Sequence, residues 1–580
     1  MFIRVICVFM CVMVMGVNFA AAGNEKTVAL VMKDLFNPFF LKMESGAKAY
    51  AKQNNIPFEV FGVERETEVE RQIGIVDNLI SRRYGAIIIA PADSKRLVPI
   101  CRKAVESGIA VVNIDNPLHK ETLARHKVSI PFVGSDNQEG AAMVGNYIRG
   151  KLDNKGRVII IEGMRGVENA ELRKKGFTES LTSGSKIEIV ASETANWHKD
   201  EAFSVVSRLL QKDQNADAIL CANDNMALGT IQALDMFGLA GKVWVGAYDN
   251  IEEARHEMQN KRMHATIEQH PELMGEYGVV LAARALAGHS LPDYTATPLN
   301  LITHDSFEKK IALSISDAKN PFFESLCKSA KEASKLFGVR LSVADAGNDD
   351  ARQLLDIQSF IQEKADLIII NPTNAEAVSQ AIETADASGI KVITADRKSL
   401  REDIVISHIA SDNIAGGRMA GEFIAKQLKG RGNILEIEGI PGTSAAHDRG
   451  QGFDEVIGKY PDMKVGMRGI ADFDQAKARE FVKRILKKGD SFDAVFAHND
   501  SMALGVIEAF ESVNIQPLPI IVGFDATPDA YEAVRQKKLA ATIAQKPERI
   551  GWIAVQSAVR VFRGEKLPKV ILVDLKLIDD

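Results

Sequence analysis

The sequence predicts an α/β protein on mostly parallel sheets, built as two tandem copies of one module. Three observations lead there: short β-branched runs alternate with helical stretches, the whole pattern occurs twice, and 580 residues are too many for one hydrophobic core. In the second half the runs are IALSIS, VRLSVA, ADLIIIN, IKVITAD, GNILEIEG, MKVGMRG, FDAVFAHND and PIIVGFD. Stretches such as PFFESLCKSAKEASKLFG and NAEAVSQAIETADASG separate them with helical spacing of apolar residues. Near-continuous apolar strands between helices mark parallel sheets covered on both faces.

The duplication is read from motifs in matching order. NPFF begins at Asn37 and again at Asn320; CANDNMALG from Cys221 matches AHNDSMALG from Ala497. GSDNQEGAAM from Gly134 matches ASDNIAGGRM from Ala410, and ATIEQHPE from Ala265 matches ATIAQKPE from Ala541. From Gly134 onward the register never slips. The first half carries a few extra residues, two before Ala90 and five between Asn116 and Ser135. The repeating unit is therefore a whole domain, far longer than a solenoid repeat. The expected division is a leader over 1–22, a first module over 23–303, a polar linker over 304–309 within ITHDSFEKK, and a second module over 310–580.

Composition narrows the function. A hydrophobic share of 46%, a charged share of 26% and a net charge of −6 fit globular material and lack the basic footprint of a nucleic-acid binder. At the N-terminus, Arg4 precedes an apolar run from Val5 to about Val17, then Ala20, Ala21 and Ala22. That is the plan of a cleaved signal peptide, with an apolar run too short for a membrane span, and it predicts export to the periplasm. Cys101, Cys221 and Cys327 remain after cleavage, with no paired spacing for disulfides or a metal site. Asp345, Asn348 and Asp349 lack the rest of a calcium loop and read as a solvated turn. No GxGxxG follows a first strand and no P-loop occurs, so no cofactor is expected.

In open parallel sheets, ligands bind beyond the carboxyl ends of the strands. There the second half places Asn320, Phe322, Phe323, Asn371, Asp396, Arg397, Asn499 and Asp525. Any one such Asn or Asp could simply cap a helix; together, beside aromatics, they describe a polar pocket. Sugars suit that chemistry. Each hydroxyl donates and accepts, and the C–H faces of the ring pack on flat side chains such as Phe322, Phe323 and Phe473.

The second half, from Ile311 to Ile578, resembles the periplasmic ribose-binding protein family of bacterial ABC importers. INPTNA, ITADR, SHIASDN, EIEGIPGTSAA, ADFD, AHNDSMALG and VGFDATPD carry the resemblance. It implies a type I periplasmic-binding-protein fold for each module: two αβα lobes joined by a three-strand hinge and closing on a monosaccharide. Phe322, Phe323 and Phe473 would sandwich the ring. Asn320, Asp396, Arg397, Arg449, Asn499, Asp525 and Gln545 would hold its hydroxyls, with Asn371 lining the site. Ribose or a close pentose is the expected ligand, and a membrane permease or a chemoreceptor the expected partner. Nothing in the resemblance implies catalysis.

In the first half Asn37, Phe39, Phe40, Asp115, Arg173, Asn223, Asp249 and Gln269 align with that set, and Trp197 stands for Phe473. Ala90 replaces Asn371 and Asn116 replaces Arg397. Losing a guanidinium removes a charge-assisted bond of ~1.5–3 kcal/mol, so a sugar of different selectivity is expected, a hexose or a furanose form. The alternative is a degenerate module kept for its fold. Three rivals for the whole chain are a glycoside hydrolase using Asp396 and Asp525, a sugar-responsive repressor, and a purely sensory module. The first lacks any sign of an acid–base pair, and the second has a leader where its DNA-binding helices belong. The third stays open on sequence.

Overall fold

The computed structural model describes residues 27–515 and 517–579, so the expected leader over 1–22 lies outside the described residues. Contacts divide the chain into one unit ending at His304 and another starting at Asp305. The segment expected as a linker is mostly a 3₁₀ turn, His304–Glu308, whose Ser306 hydroxyl donates to the Phe337 carbonyl.

The first unit holds two six-stranded sheets, one per lobe. In the first lobe the order is Tyr294–Ala296, Phe132–Gly134, Ala110–Ile114, Ala86–Ile89, Val28–Met32, Phe58–Gly62, all parallel. The strand period of two explains why both faces are apolar. Val28, Leu30 and Met32 point to one core with Ile88 and Val112, under the helices Pro38–Gln53 and Pro271–Leu286. Ala29 and Val31 point to the opposite core with Ile87 and Val111, under Val69–Ser81 and Val98–Glu106. In the second lobe the order is Asn300–Thr303, Ala265–Glu268, Trp244–Gly246, Ala218–Cys221, Lys155–Glu162, Lys186–Thr194. Its first two strands pair antiparallel and the rest parallel.

The chain crosses between these lobes three times. It leaves the strand Phe132–Gly134 at Ser135, returns after Ala265–Glu268 at Gln269, and crosses last between Tyr294–Ala296 and Asn300–Thr303. Each lobe is therefore assembled from distant segments, and the crossings form a three-strand hinge.

The second unit repeats this topology. One sheet runs Arg340–Asp345, Lys310–Ile315, Leu367–Ile370, Lys391–Ala395, Ser407–Ser411, Val570–Val573. The other runs Asp462–Ile470, Arg431–Glu438, Ala494–Ala497, Ile520–Asp525, Ala541–Ala544, Lys576–Ile578, again with one antiparallel edge pair. The five extra residues of the first half fall in the segment that carries the six-residue helix Lys120–Arg125, for which the second unit has only a turn. The two others fall between Val63 and Gln72. Gln72 and Gln353 mark this register by bridging the same backbone groups, to Ala90 and Ala92 and to Asn371 and Thr373.

Among the described residues no cluster of metal-ligating side chains forms and no helix is long and apolar enough to cross a membrane. Cys101, Cys221 and Cys327 are buried and free. Asp349 caps the helix Asp350–Gln362, and Asp345 accepts from the amides of Ala318 and Gly347, the bonding of a turn.

Candidate ligand-binding clefts

In each unit the strand ends of both lobes face a common cleft. In the second unit this cleft spans about 270 Å³, lined by Asn320, Phe322, Phe323, Asp396 and Arg397 from one lobe. Ala445, Arg449, Phe473, Asn499 and Asp525 line it from the other, and Gln545 from a hinge crossing.

Local backbone aims these groups. Asn320 and Asn499 sit at helix N-caps, each accepting an amide two or three residues on, from Phe322 and Met502. Asp396, Phe473 and Asp525 adopt positive φ of 63°, 60° and 116°, and in the first unit Asp115, Trp197 and Asp249 do the same at 64°, 71° and 118°. Non-glycine residues held there carry strain of ~1–3 kcal/mol each, and all six line their clefts. Gly439 and Gly163 seat the aromatics: a Cβ on either would stand 2.0 Å from the Phe473 ring or 2.3 Å from the Trp197 ring.

The electrostatics are those of a buried, paired site. Arg449 donates from Nε to Asn413 (2.8 Å) and lies 3.8 Å from Asp525, which accepts from Gln545 at 2.7 Å. Burial pushes the Asp525 carboxyl up to about 6, against the pull of Arg449. Burial likewise raises Asp396, opposed by Arg397 and Arg449, and draws Arg397 down to about 10. The Arg397 guanidinium lies 5.3 Å from the Phe323 ring and 5.5 Å from the Phe473 ring. Asp396 Oδ1, Arg397 Nε and Gln545 Oε1 are buried without a hydrogen-bond partner, Arg397 Nε lying 3.9 Å from Asp396 Oδ2. Polar atoms so placed suit a ligand rich in hydroxyls. Asn371 is not among the lining side chains. It stands behind Asp396, accepting from the Ser316 hydroxyl at 2.6 Å and donating to the Ala395 carbonyl (3.1 Å) and Asp396 (3.4 Å).

The cleft of the first unit spans about 250 Å³, lined by Lys33, Asn37, Phe39, Phe40, Glu66 and Asp115 from one lobe and Asn169, Arg173, Trp197, Asn223 and Asp249 from the other. Arg173 donates to Asn137 (2.7 Å) and the Ala222 carbonyl (2.8 Å) and lies 3.6 Å from Asp249. Burial raises Asp249 to about 7, with Arg173 opposing. Two expected residues stand one layer back. Gln269 bridges the hinge, accepting from Ser135 and donating to Asp249, both at 2.7 Å. Asn116 donates to the Pro91 carbonyl, where Arg397 donates to that of Pro372. Its shorter side chain ends there, short of the cavity.

Lys33, Glu66, Asn169 and Ala445 were missed from sequence. Lys33 Nζ lies 3.1 Å from Asp115 and 3.2 Å from Glu66, all three almost fully buried. Burial works against the Lys33 charge, but Asp115 and Glu66 outweigh it and raise its pKa; burial raises Glu66 to about 7 despite Lys33. Two signals were available: a lysine ending the apolar run VALVMK where the other half has IALSIS, and an insertion carrying Glu66.

Bonds also cross each cleft at its rim. In the first unit Asn116 Oδ1 accepts from the Asn169 amide (3.4 Å), and Ser94 Oγ from that of Glu168 (3.3 Å). In the second the Lys398 amide donates to Ser444 Oγ at 2.8 Å.

A family model described as a periplasmic binding protein domain matches residues 28–290 and again 311–566. The chain is 43% identical over 275 residues to the ribose import binding protein RbsB of Haemophilus influenzae, covering 47% of this chain and 93% of that protein. It is 40% identical over 290 residues to the D-ribose/D-allose-binding protein of Pseudomonas aeruginosa, covering 49% and 91%. A solved solute-binding protein of an ABC transporter from Burkholderia multivorans is 40% identical with a TM-score of 0.47, covering 48% of this chain and 100% of that one. The chain belongs to the periplasmic binding protein domain family and carries two of its modules in tandem.

Proposed function

We propose that each module captures one monosaccharide by lobe closure and releases it unchanged, as the periplasmic solute-binding component of an ABC-type import system. The second module takes ribose or a similar pentose, and the first takes a different sugar. A membrane permease reads the closed shape, and residues 1–22 are removed on export. The sugar stabilises closure because both lobes contact it only then.

One observation carries the reading. In the second cleft, buried and unpartnered atoms of Asp396, Arg397 and Gln545 surround a space walled by Phe322, Phe323 and Phe473. That pairing of apolar faces with hydroxyl partners matches a sugar ring. The names of the ribose- and allose-binding relatives support the same class.

The test is calorimetric titration of the mature chain with D-ribose, followed by chemical analysis of the recovered sugar. Saturable binding with the sugar intact is expected. No binding, or a converted sugar, refutes the proposal.

A further inference from the structure

The two clefts of this chain differ by a coordinated set of changes. In the second, Asp396 is braced from behind by Asn371, itself fixed by Ser316, and Arg397 is the cation near both the Phe323 and Phe473 rings. In the first, Asn371 becomes Ala90, Arg397 becomes Asn116, and the position of Ser316, at the end of the first strand, becomes Lys33. Ala90 is buried and small, in keeping with a long side chain running in beside it. Lys33 Nζ then meets Asp115 directly and lies 5.5 Å from the Phe40 ring and 5.9 Å from the Trp197 ring. Those rings align with Phe323 and Phe473, the pair under Arg397. One lysine thus does the work of both missing side chains, bracing the strand-end aspartate and supplying the cation.

Glu66 completes the exchange. It comes from the loop with the two extra residues, whereas Asp349 in the shorter loop caps a helix and stays out of the cavity. Asn169 Oδ1 and Trp197 Nε1 are buried, unpartnered and part of lining side chains, where the second cleft has Ala445 and Phe473 with no polar side-chain atom. The first cleft therefore offers more hydrogen-bonding groups around a cavity of similar size. Each one left unmade costs the ligand that fails to reach it.

We infer that Lys33, held by Glu66, supplies beside Arg173 the second cation that Arg397 gives the other module's site, and sets the first module's ligand to a sugar richer in hydroxyls than a pentose, a six-carbon sugar. This rests on the proposal that the first module binds a sugar at all.

The test uses the mature full chain with the second site disabled by Asp396→Ala and Arg449→Ala, titrated with D-ribose, D-allose, D-galactose and D-fructose. At least one hexose should bind about tenfold or more tighter than ribose, and Lys33→Ser should weaken that hexose about 100-fold. Lys33→Arg should keep binding within about tenfold. The triple variant Lys33→Ser, Ala90→Asn, Asn116→Arg rebuilds the second module's set and should bind with its preference moved toward ribose. A merely structural lysine would not move selectivity. The inference is overturned if ribose binds as tightly as every hexose. Binding by Lys33→Ser within about threefold of its parent, with the first unit still folded, also overturns it. Should Lys33→Ser unfold that unit, Lys33→Arg and the triple variant decide, and an unshifted preference in the triple variant refutes the idea. If the parent binds none of the four sugars, the sugar-binding proposal for the first module itself falls, which shows as lost binding instead of redistributed preference.

Discussion

Replacing Asp396 by Ala is the most direct test of the second cleft. The carboxylate is 3% exposed, and one oxygen, Oδ2, is partly engaged by Asn371 at 3.4 Å and Arg397 at 3.9 Å. The other, Oδ1, has no protein partner. A sugar hydroxyl donating to Oδ1 would make one charge-assisted bond, worth ~1.5–3 kcal/mol. Removing the carboxylate also leaves Arg397 buried without its nearest counter-charge, which raises the cost of closing around the ligand. The two effects together give ~2–4 kcal/mol, or roughly 30- to 1000-fold in Kd. Calorimetric titration of the mature chain with D-ribose reads this directly, and a scanning melt confirms that the second unit is still folded. Binding within about threefold of the parent by a folded variant would refute the assignment of this carboxylate to the ligand.

Other outcomes follow from neighbouring geometry. Gly439→Ala forces a methyl into the Phe473 ring, so the second unit should lose ~1–3 kcal/mol of stability and its ribose binding should weaken; an unchanged melt and affinity would contradict the packing. Asn371→Ala should weaken ribose binding less than Asp396→Ala, since it acts through the aspartate, and an equal or larger loss would put Asn371 against the ligand. Glu66 is held at about 7 against an ordinary 4.5. Its folded form binds the proton more tightly than its unfolded form, so this stability is full below pH 4.5 and is lost as pH rises through 7. Glu66→Gln should therefore flatten the fall in the first unit's melting temperature between about pH 5 and 7.5, and an unaltered slope would show that other groups drive it.

Much of this architecture was legible because its signals are local. The strand runs, their alternation with helices and the duplicated motifs translate directly into parallel sheets and repeated order, as IALSIS does in Lys310–Ile315. Strand-end residues such as Asp396 and Asn499 could be picked out because parallel topology sends them to one edge. What escaped was depth. Asn371, Asn116 and Gln269 sit one layer behind the cavity because their partners hold them there: Asn371 is held by Ser316, Asn116 ends on the Pro91 carbonyl, and Gln269, although identical to Gln545, is tied to Ser135 as well as Asp249. Lys33 escaped for a different reason: the lysine ending VALVMK stands out against IALSIS, but alignment places it opposite Ser316, and its approach to Asp115 shows only in three dimensions.

The rim bonds of Asn116, Ser94 and Lys398 have a consequence for retention. They join lobe to lobe through protein atoms alone, so they favour the shut form by an amount independent of the cargo. Apparent affinity scales with the share of molecules able to adopt the gripping shape. Under the proposed lobe closure, the time each module holds a ligand would therefore be tunable by side chains outside the cavity.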